Sequence, residues 1–376
     1  MTIAVPSLDT RRAEALAAYR AKGIPHRRIE EWKYSDLRSA LDDDQIEHSD
    51  SLAWAVDAIP AGVAFFDLAD SYDRMPGWVK QCLGSVSVHG AMDCAALAFG
   101  RTGLALHVSQ RVTEPMRLAF SAHGHARLLV VVDEGASLTL VETQAAGGGL
   151  RNIGVEFVLG AGARLEHIRV AEEAADSVAV ESVAVSIGAG AEYRAHFTSF
   201  GAKLSRVEAN IVLQGEGAQA HLSGVDVLTD ATHADTTTHV DHAIGNTQST
   251  QLFKKVAGGK ARSVYQGKVT VRAGADGSDS RQTAKGLLLS ERAEIDLKPE
   301  LEIFADDVKC AHGAAVGDLD TDSLFYLRAR GVPEAEARNL LVHAFLADAL
   351  DGIGNETLRG EVWSAVESAL LRTGAA

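Results

Sequence analysis

Residues 155–170 read VEFVLGAGARLEHIRV, in which two runs rich in alternating apolar residues flank the turn sequence GAGA. Alternation with a period of two predicts β-strands. The second glycine of this turn recurs along the chain as Gly135, Gly162, Gly190, Gly217, Gly245 and Gly274. A nearly fixed period of this kind predicts a repeat architecture.

The period of the glycines matches one coil of a solenoid, which accommodates two or three short strands with their turns. A single coil cannot bury its apolar face alone, so successive coils must stack strand over strand. We therefore predict a mainly β protein built on a parallel β-helix. Leucine-rich repeats are excluded because their leucine pattern is missing, and propeller blades because their longer period does not appear. A β-sandwich with fortuitous glycine spacing is the alternative.

The composition excludes several classes of protein. The chain carries 36 Lys and Arg residues against 51 Asp and Glu residues, a formal net charge of −15, which argues against a nucleic-acid binder. Cys82, Cys94 and Cys310 are too few and too scattered for a disulfide framework, which indicates a reducing compartment. Residues 1–12 lack the order of a signal peptide, and no uninterrupted apolar run approaches the length of a membrane span. We therefore expect a cytoplasmic protein without a membrane span.

Helical patterns flank the repeats. Helices are expected from the capping residue Asp9 to about Lys22, over Ile29–Leu37, from the capping residue Asp320 to Gly331, from Glu334 (after Pro333) to about Leu350, and over Glu356–Leu371. This pattern predicts an N-terminal helical domain over 1–95, a β-helix core over 96–318 and a C-terminal helical domain over 319–376. The helices would either cap the terminal coils or, at the C-terminus, provide a docking platform.

One motif suggests a nucleotide site that the surrounding sequence does not support. Residues 215–220 fit the loose G-x-G-x-x-A form of a dinucleotide loop, but a strand-like run follows instead of the helix that a pyrophosphate site needs. We interpret this motif as a turn. No phosphate-binding P-loop sequence is present, so any ATP used with this protein would be bound by another chain.

A histidine-rich run suggests a metal site. His233, His239 and His242 lie close to Asp235 and Asp241. Strand alternation turns His242 to the face opposite the other four side chains. A ladder of polar side chains is therefore the favoured interpretation, and metal ligation is the alternative.

The segment 298–317 carries the strongest candidate for chemistry. Alternation places Cys310 and His312 on one face of a strand, with Cα atoms roughly 6.6 Å apart. A thiolate and an imidazole at this separation suit iron and iron–sulfur chemistry. Lys309 and His312 are placed to lower the pKa of the thiol. Two ligands cannot complete a cluster, so any cluster must borrow ligands from a second chain.

These residues resemble a known family. Residues 298–317, continuing through 324–331, resemble the C-terminal signature of the SufD family, a subunit of the SufBCD complex that assembles iron–sulfur clusters. Residues 23–37 resemble the N-terminal motif of that family, and residues 264–269 and 287–290 resemble its later coils. The resemblance spans most of the chain and is weakest between about 40 and 110.

The resemblance implies a right-handed parallel β-helix flanked by helical domains, acting as a non-catalytic scaffold. It implies that the chain pairs with a SufB-like subunit across the β-helix ends, or with a second copy when isolated. His312, with Cys310 as its neighbour, would hold iron or a transient iron–sulfur cluster shared with the partner. Ala311 stands where the family often has Ser, so a hydroxyl contact is not expected there.

The resemblance also implies that the C-terminal helices dock a SufC-like ATPase. The docking residues would be Phe325, Tyr326, Arg328, Arg330 and Gly331, and this chain would bind no nucleotide itself. Two other interpretations stay open: a carbohydrate-active β-helix enzyme, which requires a groove of charged residues from neighbouring coils, and a structural solenoid that binds one partner without metal.

Overall fold

The repeats fold as predicted, into a parallel β-helix of about eight turns with helices before and after it. The computed structural model describes residues 6–41, 46–47, 52–70, 72–86, 90–145 and 147–372. Residues 1–5, part of the stretch used to argue against a signal peptide, lie outside these ranges. None of the described helices is long and apolar enough to cross a lipid bilayer.

The described chain begins with four α-helices interrupted by two strands, continues with sixteen strands and ends with three α-helices. The helices are α1 Leu8–Lys22, α2 Leu37–Ala40, α3 Gly77–Cys82, α4 Ala91–Phe99, α5 Thr321–Ala329, α6 Glu334–Leu350 and α7 Glu356–Arg372. The strands are β1 Ala53–Val56, β2 Val63–Asp67, β3 Thr102–Val108, β4 Met116–Ser121, β5 Gly124–Val132, β6 Ser137–Gln144, β7 Gly149–Leu159, β8 Arg164–Ala171, β9 Ser177–Ile187, β10 Glu192–Ser199, β11 Leu204–Leu213, β12 Gln219–Leu228, β13 His233–His242, β14 Gln248–Ala257, β15 Arg262–Val271, β16 Asp279–Leu288, β17 Glu294–Ile303 and β18 Lys309–Gly317.

Each coil contributes one strand to each of two sheets. The even sheet runs from β1 through β4 and every even-numbered strand to β18, and the odd sheet runs from β2 through β3 and every odd-numbered strand to β17. Neighbouring strands are parallel from β3 onward, whereas β1 and β2 pair antiparallel with β4 and β3. The region expected to be helical, 1–95, therefore also supplies one terminal strand to each sheet.

Glycine is required at the turns that lead from the odd sheet to the even sheet. Gly162 and Gly190 both have φ of 63°, a left-handed conformation that residues with a Cβ rarely adopt. A Cβ on Gly215 would lie 2.1 Å from the backbone nitrogen of Ala189 in the preceding coil. The motif at 215–220 is thus a turn into β12, as predicted from its sequence.

The coil length increases toward the C-terminus. In the even sheet, Arg164 aligns with Glu192 and Glu192 with Gln219, so these coils keep the predicted period. Gln248 then aligns with Asp279 and Asp279 with Lys309, and each of these steps is longer. The predicted period therefore holds only for the earlier coils, because turns such as 272–278 are longer than 160–163.

The helical regions pack on the outer faces of the sheets. Helices α1 and α4 bury their apolar side chains against residues of the odd sheet such as Leu129 and Val178. Helices α6 and α7 cover the even sheet over residues such as Ile168 and Val225. The interpretation of the helices as end caps is therefore wrong. Apolar periodicity shows which face of a helix is buried, but not which surface it is buried against.

The N-terminal motif, residues 23–37, crosses the odd sheet, and we call it the strap. Trp32 stacks on the buried guanidinium of Arg206, 4.2 Å from the ring centroid. The helix expected over Ile29–Leu37 is wrong: a 3₁₀ turn covers 30–32, and Asp36 caps the short α2. Ser7, rather than Asp9, caps α1 by accepting the N–H of Thr10.

The C-terminal helices begin and end close to the predicted residues. Asp320 caps α5 by accepting the N–H of Ser323, and Gly331 follows α5 with φ of 86°. Pro333 precedes α6 instead of being its first residue. Helix α6 is anchored to the even sheet by Lys254, whose ammonium lies 3.0 Å from the Asp348 carboxylate and 4.6 Å from the Phe345 ring.

Replacing His196 by Asn is expected to make the free energy of unfolding less sensitive to acid. His196 is buried in β10 on the outer side of the even sheet, and its Nδ1 lies 2.8 Å from Ser223 Oγ. Burial lowers the pKa of His196 to about 3 from an ordinary value of 6.5. Between these values the unfolded chain binds a proton that the folded chain excludes. The free energy of unfolding is therefore highest above pH 6.5. Below that pH it falls by up to about 1.4 kcal/mol per pH unit.

Urea unfolding of wild type and His196→Asn at pH 7, 6 and 5 measures this difference. The variant's stability should fall less steeply, while His123→Asn at an exposed turn controls for the removal of a histidine. Equal slopes for wild type and His196→Asn would contradict the assignment.

Candidate functional site

The two ends of the β-helix are built differently. At the N-terminal end the sheets finish in β1 and β2, which are only four and five residues long. At the C-terminal end they finish in β17 and β18, which have ten and nine residues, and each has a sheet neighbour on one side only among the described strands. A long edge with free N–H and C=O groups is a template for pairing with another chain. We call the edge formed by β17 and β18 the open end.

Apolar side chains are exposed at the open end. Ile303 is 40% exposed, Phe304 64% and Val316 43%. Exposed apolar groups of this size on a sheet edge favour burial against another chain. The edge is therefore suited to burial against a partner.

Cys310 and His312 face the interior of the β-helix at its open end. In β18, Cys310 aligns with Ser280 and His312 aligns with Gln282 of β16. Both β16 residues are buried, and aligned residues in a parallel sheet point to the same side. Cys310 is half-buried against an apolar cluster that contains Val271, whereas His312 is exposed. The structure thus places both side chains on one face, at the end of the β-helix interior.

The environment of Cys310 favours the thiol over the thiolate. Burial raises the pKa of Cys310, the backbone of Ser280 opposes this change, and Asp279 adds to it. The expectation that Lys309 and His312 lower the pKa is therefore wrong, because burial at the end of the apolar cluster dominates. Since thiolate is the form that binds metals, iron must displace the proton of Cys310.

A polar network fills the interior beneath His312. The Gln282 amide donates to the Tyr265 hydroxyl at 3.0 Å, and that hydroxyl donates to the Gln251 carbonyl at 3.1 Å. Thr238 also donates to the Gln251 carbonyl, at 2.6 Å. All four side chains are buried.

A second line of polar side chains lies beneath Cys310. The hydroxyls of Ser280 and Ser249 are 2.8 Å apart, and Ser249 lies 2.9 Å from His242 Nε2. In β6 the corresponding inward positions are apolar, at Leu138 and Leu140, whereas in β8 one of them is His167. Neither line was predicted from the sequence, although polar residues at alternate positions of β14 and β16 were the available signal.

The histidine-rich run forms the polar ladder that alternation favoured. His233 Nε2 lies 3.3 Å from Ser35 Oγ, and His239 Nε2 lies 2.9 Å from Thr270 Oγ1. His242 turns inward, to the opposite face, as its position predicted. These histidines thus have separate hydroxyl partners, and the potential metal-binding group found among the described residues lies elsewhere.

That group comprises Glu142, His167 and Glu181, which sequence spacing did not reveal. Their ligand atoms lie within 4.8 Å of one another inside the β-helix. His167 Nε2 is 3.1 Å from Glu142 Oε2, and Arg169 pairs with Glu181. Burial raises the pKa of Glu181, and Arg169 only partly offsets this increase. With the Arg169 guanidinium supplying the cation, the arrangement is a buried ion-pair network.

A cleft of about 670 Å³ separates the N-terminal strap from the odd sheet. Its lining includes carboxylates and lysines from stacked coils, the kind of groove that a carbohydrate-active enzyme requires. Two of its lysines are engaged in ion pairs: Lys298 lies 2.6 Å from Glu30, and Lys268 lies 2.8 Å from Glu302. The first pair ties the strap to β17, and the second joins β15 to β17.

Helix α5 presents a second exposed surface. None of its residues is buried, and Phe325 and Tyr326 are 74% and 58% exposed. The Arg330 guanidinium lies 5.2 Å from the Tyr326 ring centroid, and Arg328 lies 3.2 Å from Glu334. Aromatic and arginine side chains on one short helix are the composition of an interface hot spot.

Comparisons with known proteins agree on one family. A family model described as SUF system FeS cluster assembly, SufBD core domain, matches residues 118–345. The iron–sulfur cluster assembly protein SufD of Escherichia coli K12 is 28% identical, over 90% of this chain and 88% of that protein. A SufBD family protein of Synechocystis is 35% identical, over 63% of this chain and 54% of that protein, and one of Mycobacterium leprae is 31% identical, over 72% and 70%. The model match extends from β4 into α6.

Proposed function

The chain belongs to the SufBD family of iron–sulfur cluster assembly proteins, and from this premise we propose that it is the non-catalytic scaffold subunit that pairs with a SufB-like subunit. The observation that carries the proposal is the open end, where two long strands, one of which holds Cys310 and His312, each have a free edge and exposed apolar groups. An edge of this kind is completed by a second β-helix. A second copy of this chain would occupy the same edge when the partner is missing.

In this proposal His312 and Cys310 hold iron or a nascent cluster at the subunit interface. The cluster is cargo that is shared with the partner, since two ligands leave its coordination incomplete. Imidazole in its neutral form offers a lone pair at once, whereas Cys310 must first lose its proton. His312 is therefore the principal ligand and Cys310 its neighbour.

We further propose that a SufC-like ATPase docks on α5 and binds the nucleotide. Phe325 and Tyr326 supply the apolar contact, Arg328 and Arg330 supply charge, and Gly331 ends the helix. Helix α6 connects this surface to β14 through Lys254 and Asp348, and β14 pairs with β16, which pairs with β18. ATP-driven dimerisation of the ATPase would thus pull on the open end and expose the ligands.

The proposed division of labour follows three segments of the chain. Residues 1–95 and 319–376 are the N-terminal and C-terminal helical domains, and residues 96–318 are the β-helix core. Cytoplasmic location belongs to the same proposal, because assembly requires reduced thiols and soluble iron.

Replacing His312 by Ala is expected to lower cluster yield at least about tenfold, since loss of a ligand costs no less than loss of its supporting hydrogen bond. The measurement is iron and acid-labile sulfide in the purified complex of this chain with SufB-like and SufC-like partners. His123→Ala, which removes an exposed histidine at the other end of the β-helix, is the control. Undiminished yield from His312→Ala would remove this residue from the mechanism.

Replacing Phe325 by Ala is expected to weaken ATPase binding by about 2 kcal/mol, or about 30-fold in dissociation constant. Titration of the labelled ATPase into the chain measures the change. Leu371→Ala on α7, which removes a 70% exposed apolar side chain, should leave the affinity unchanged. Equal affinities for wild type and Phe325→Ala would place the docking surface elsewhere.

A further inference from the structure

Hydrogen-bond directions define the orientation of the Gln282 amide. Tyr265 has a single hydroxyl proton, which it donates to the Gln251 carbonyl oxygen, and Thr238 Oγ1 lies 3.2 Å from the same hydroxyl. With its proton used, the Tyr265 oxygen accepts a hydrogen bond from the Gln282 Nε2 group. This assignment turns Gln282 Oε1 away from Tyr265.

Gly267 makes room for this arrangement. A Cβ on Gly267 would lie 1.9 Å from Gln282 Nε2 and 2.4 Å from the Tyr265 hydroxyl oxygen. A side chain at this position would displace the Gln282 amide, so glycine leaves the space in which the amide and the hydroxyl meet. Gly267 lies in the segment 264–269 that resembles the later coils of the family, which gives this motif a physical role.

Gln282 Oε1 is a buried acceptor without a donor. It has no hydrogen-bond partner among the described residues, and the Gln282 side chain is only 1% exposed. Buried acceptors are almost always paired, because leaving one unpaired is destabilising. The residue aligned with Gln282 toward the open end is His312. Its imidazole is exposed and takes part in none of the hydrogen bonds found within the described part of the chain.

We propose that Gln282 Oε1 accepts a hydrogen bond from one ring nitrogen of His312 and thereby turns the other nitrogen toward the subunit interface as a neutral ligand. The inference rests on the proposed function of His312. A hydrogen bond to one ring nitrogen fixes the tautomer and the ring orientation of a metal-binding histidine. Gln282 is thus a positioning residue, and Tyr265 and Gly267 act through it.

The test compares two replacements of Gln282 that separate hydrogen bonding from packing. Gln282→Met keeps the length and apolar bulk of the side chain but removes the acceptor. Gln282→Glu keeps an acceptor at the same place but buries a charge. Positioning predicts that Met weakens Fe(II) binding about 10- to 100-fold, the usual effect of removing such a partner, and that Glu retains most of the affinity.

Fe(II) affinity is measured by anaerobic titration of the complex with the SufB-like and SufC-like partners, together with its thermal unfolding midpoint. We expect Gln282→Glu to bind iron more tightly than Gln282→Met. We expect the opposite order in the thermal unfolding midpoint, because a buried carboxylate is destabilising. Arg281→Ala, at an exposed residue on the other face of β16, is the matched control and should preserve iron affinity.

The outcomes distinguish this inference from the proposed function. If His312→Ala loses iron while Gln282→Met binds it as tightly as wild type, the positioning role is overturned and the function stands. If the variant with the higher unfolding midpoint also binds iron more tightly, Gln282 serves packing alone and the inference is again overturned. If His312→Ala itself retains full iron affinity, the proposed function fails. Should Gln282→Met not fold, Tyr265→Phe, which removes the hydroxyl that orients the amide, must reduce iron affinity in its place.

Discussion

The backbone N–H and C=O groups of each strand in this β-helix pair with the strand of the next coil. The last coil has no successor among the described strands. Along the two sheets every interior strand exchanges backbone hydrogen bonds with neighbours on both sides. At the N-terminal end the ladder stops at two short antiparallel strands, whereas at the C-terminal end it stops abruptly at β17 and β18. Free backbone groups over such a length favour association. Cys310 and His312, the proposed ligands, lie on this unfinished edge.

Buried polar side chains line the interior of the β-helix beneath the open end. Early coils are filled mainly by Leu, Val and Phe side chains, interrupted by the buried network of Glu142, His167 and Glu181. The last coils place hydroxyls and amides there, including Ser280 and Gln282 directly beneath Cys310 and His312. A polar interior is less stabilising than an apolar one, but it offers hydrogen bonds that fix side-chain orientation. A hydrogen-bonded network thus lies directly beneath the two proposed metal ligands.

The sequence was informative wherever a rule is local. The glycine period predicted the coils, alternation predicted that Cys310 and His312 share a face, and Asp320 and Gly331 predicted the limits of α5. What depends on contacts between distant residues could not be predicted. Spacing does not show that the helices cover the sheets, that burial raises the pKa of Cys310, or that Glu142, His167 and Glu181 meet. The hydrogen bond between Gln282 and Tyr265 likewise depends on Gly267 in the opposite sheet.

Hydrogen exchange of backbone amides tests the central claim, that the open end is a mating edge, most directly. The comparison is between the monomeric chain and its complex with the SufB-like subunit, followed by mass spectrometry of peptides covering all strands. We predict that amides of β17 and β18 gain protection in the complex, because their free N–H groups become paired or buried, while β1 and β2 at the other end do not change. Unchanged exchange at β17 and β18, or protection confined to β1 and β2, would contradict it.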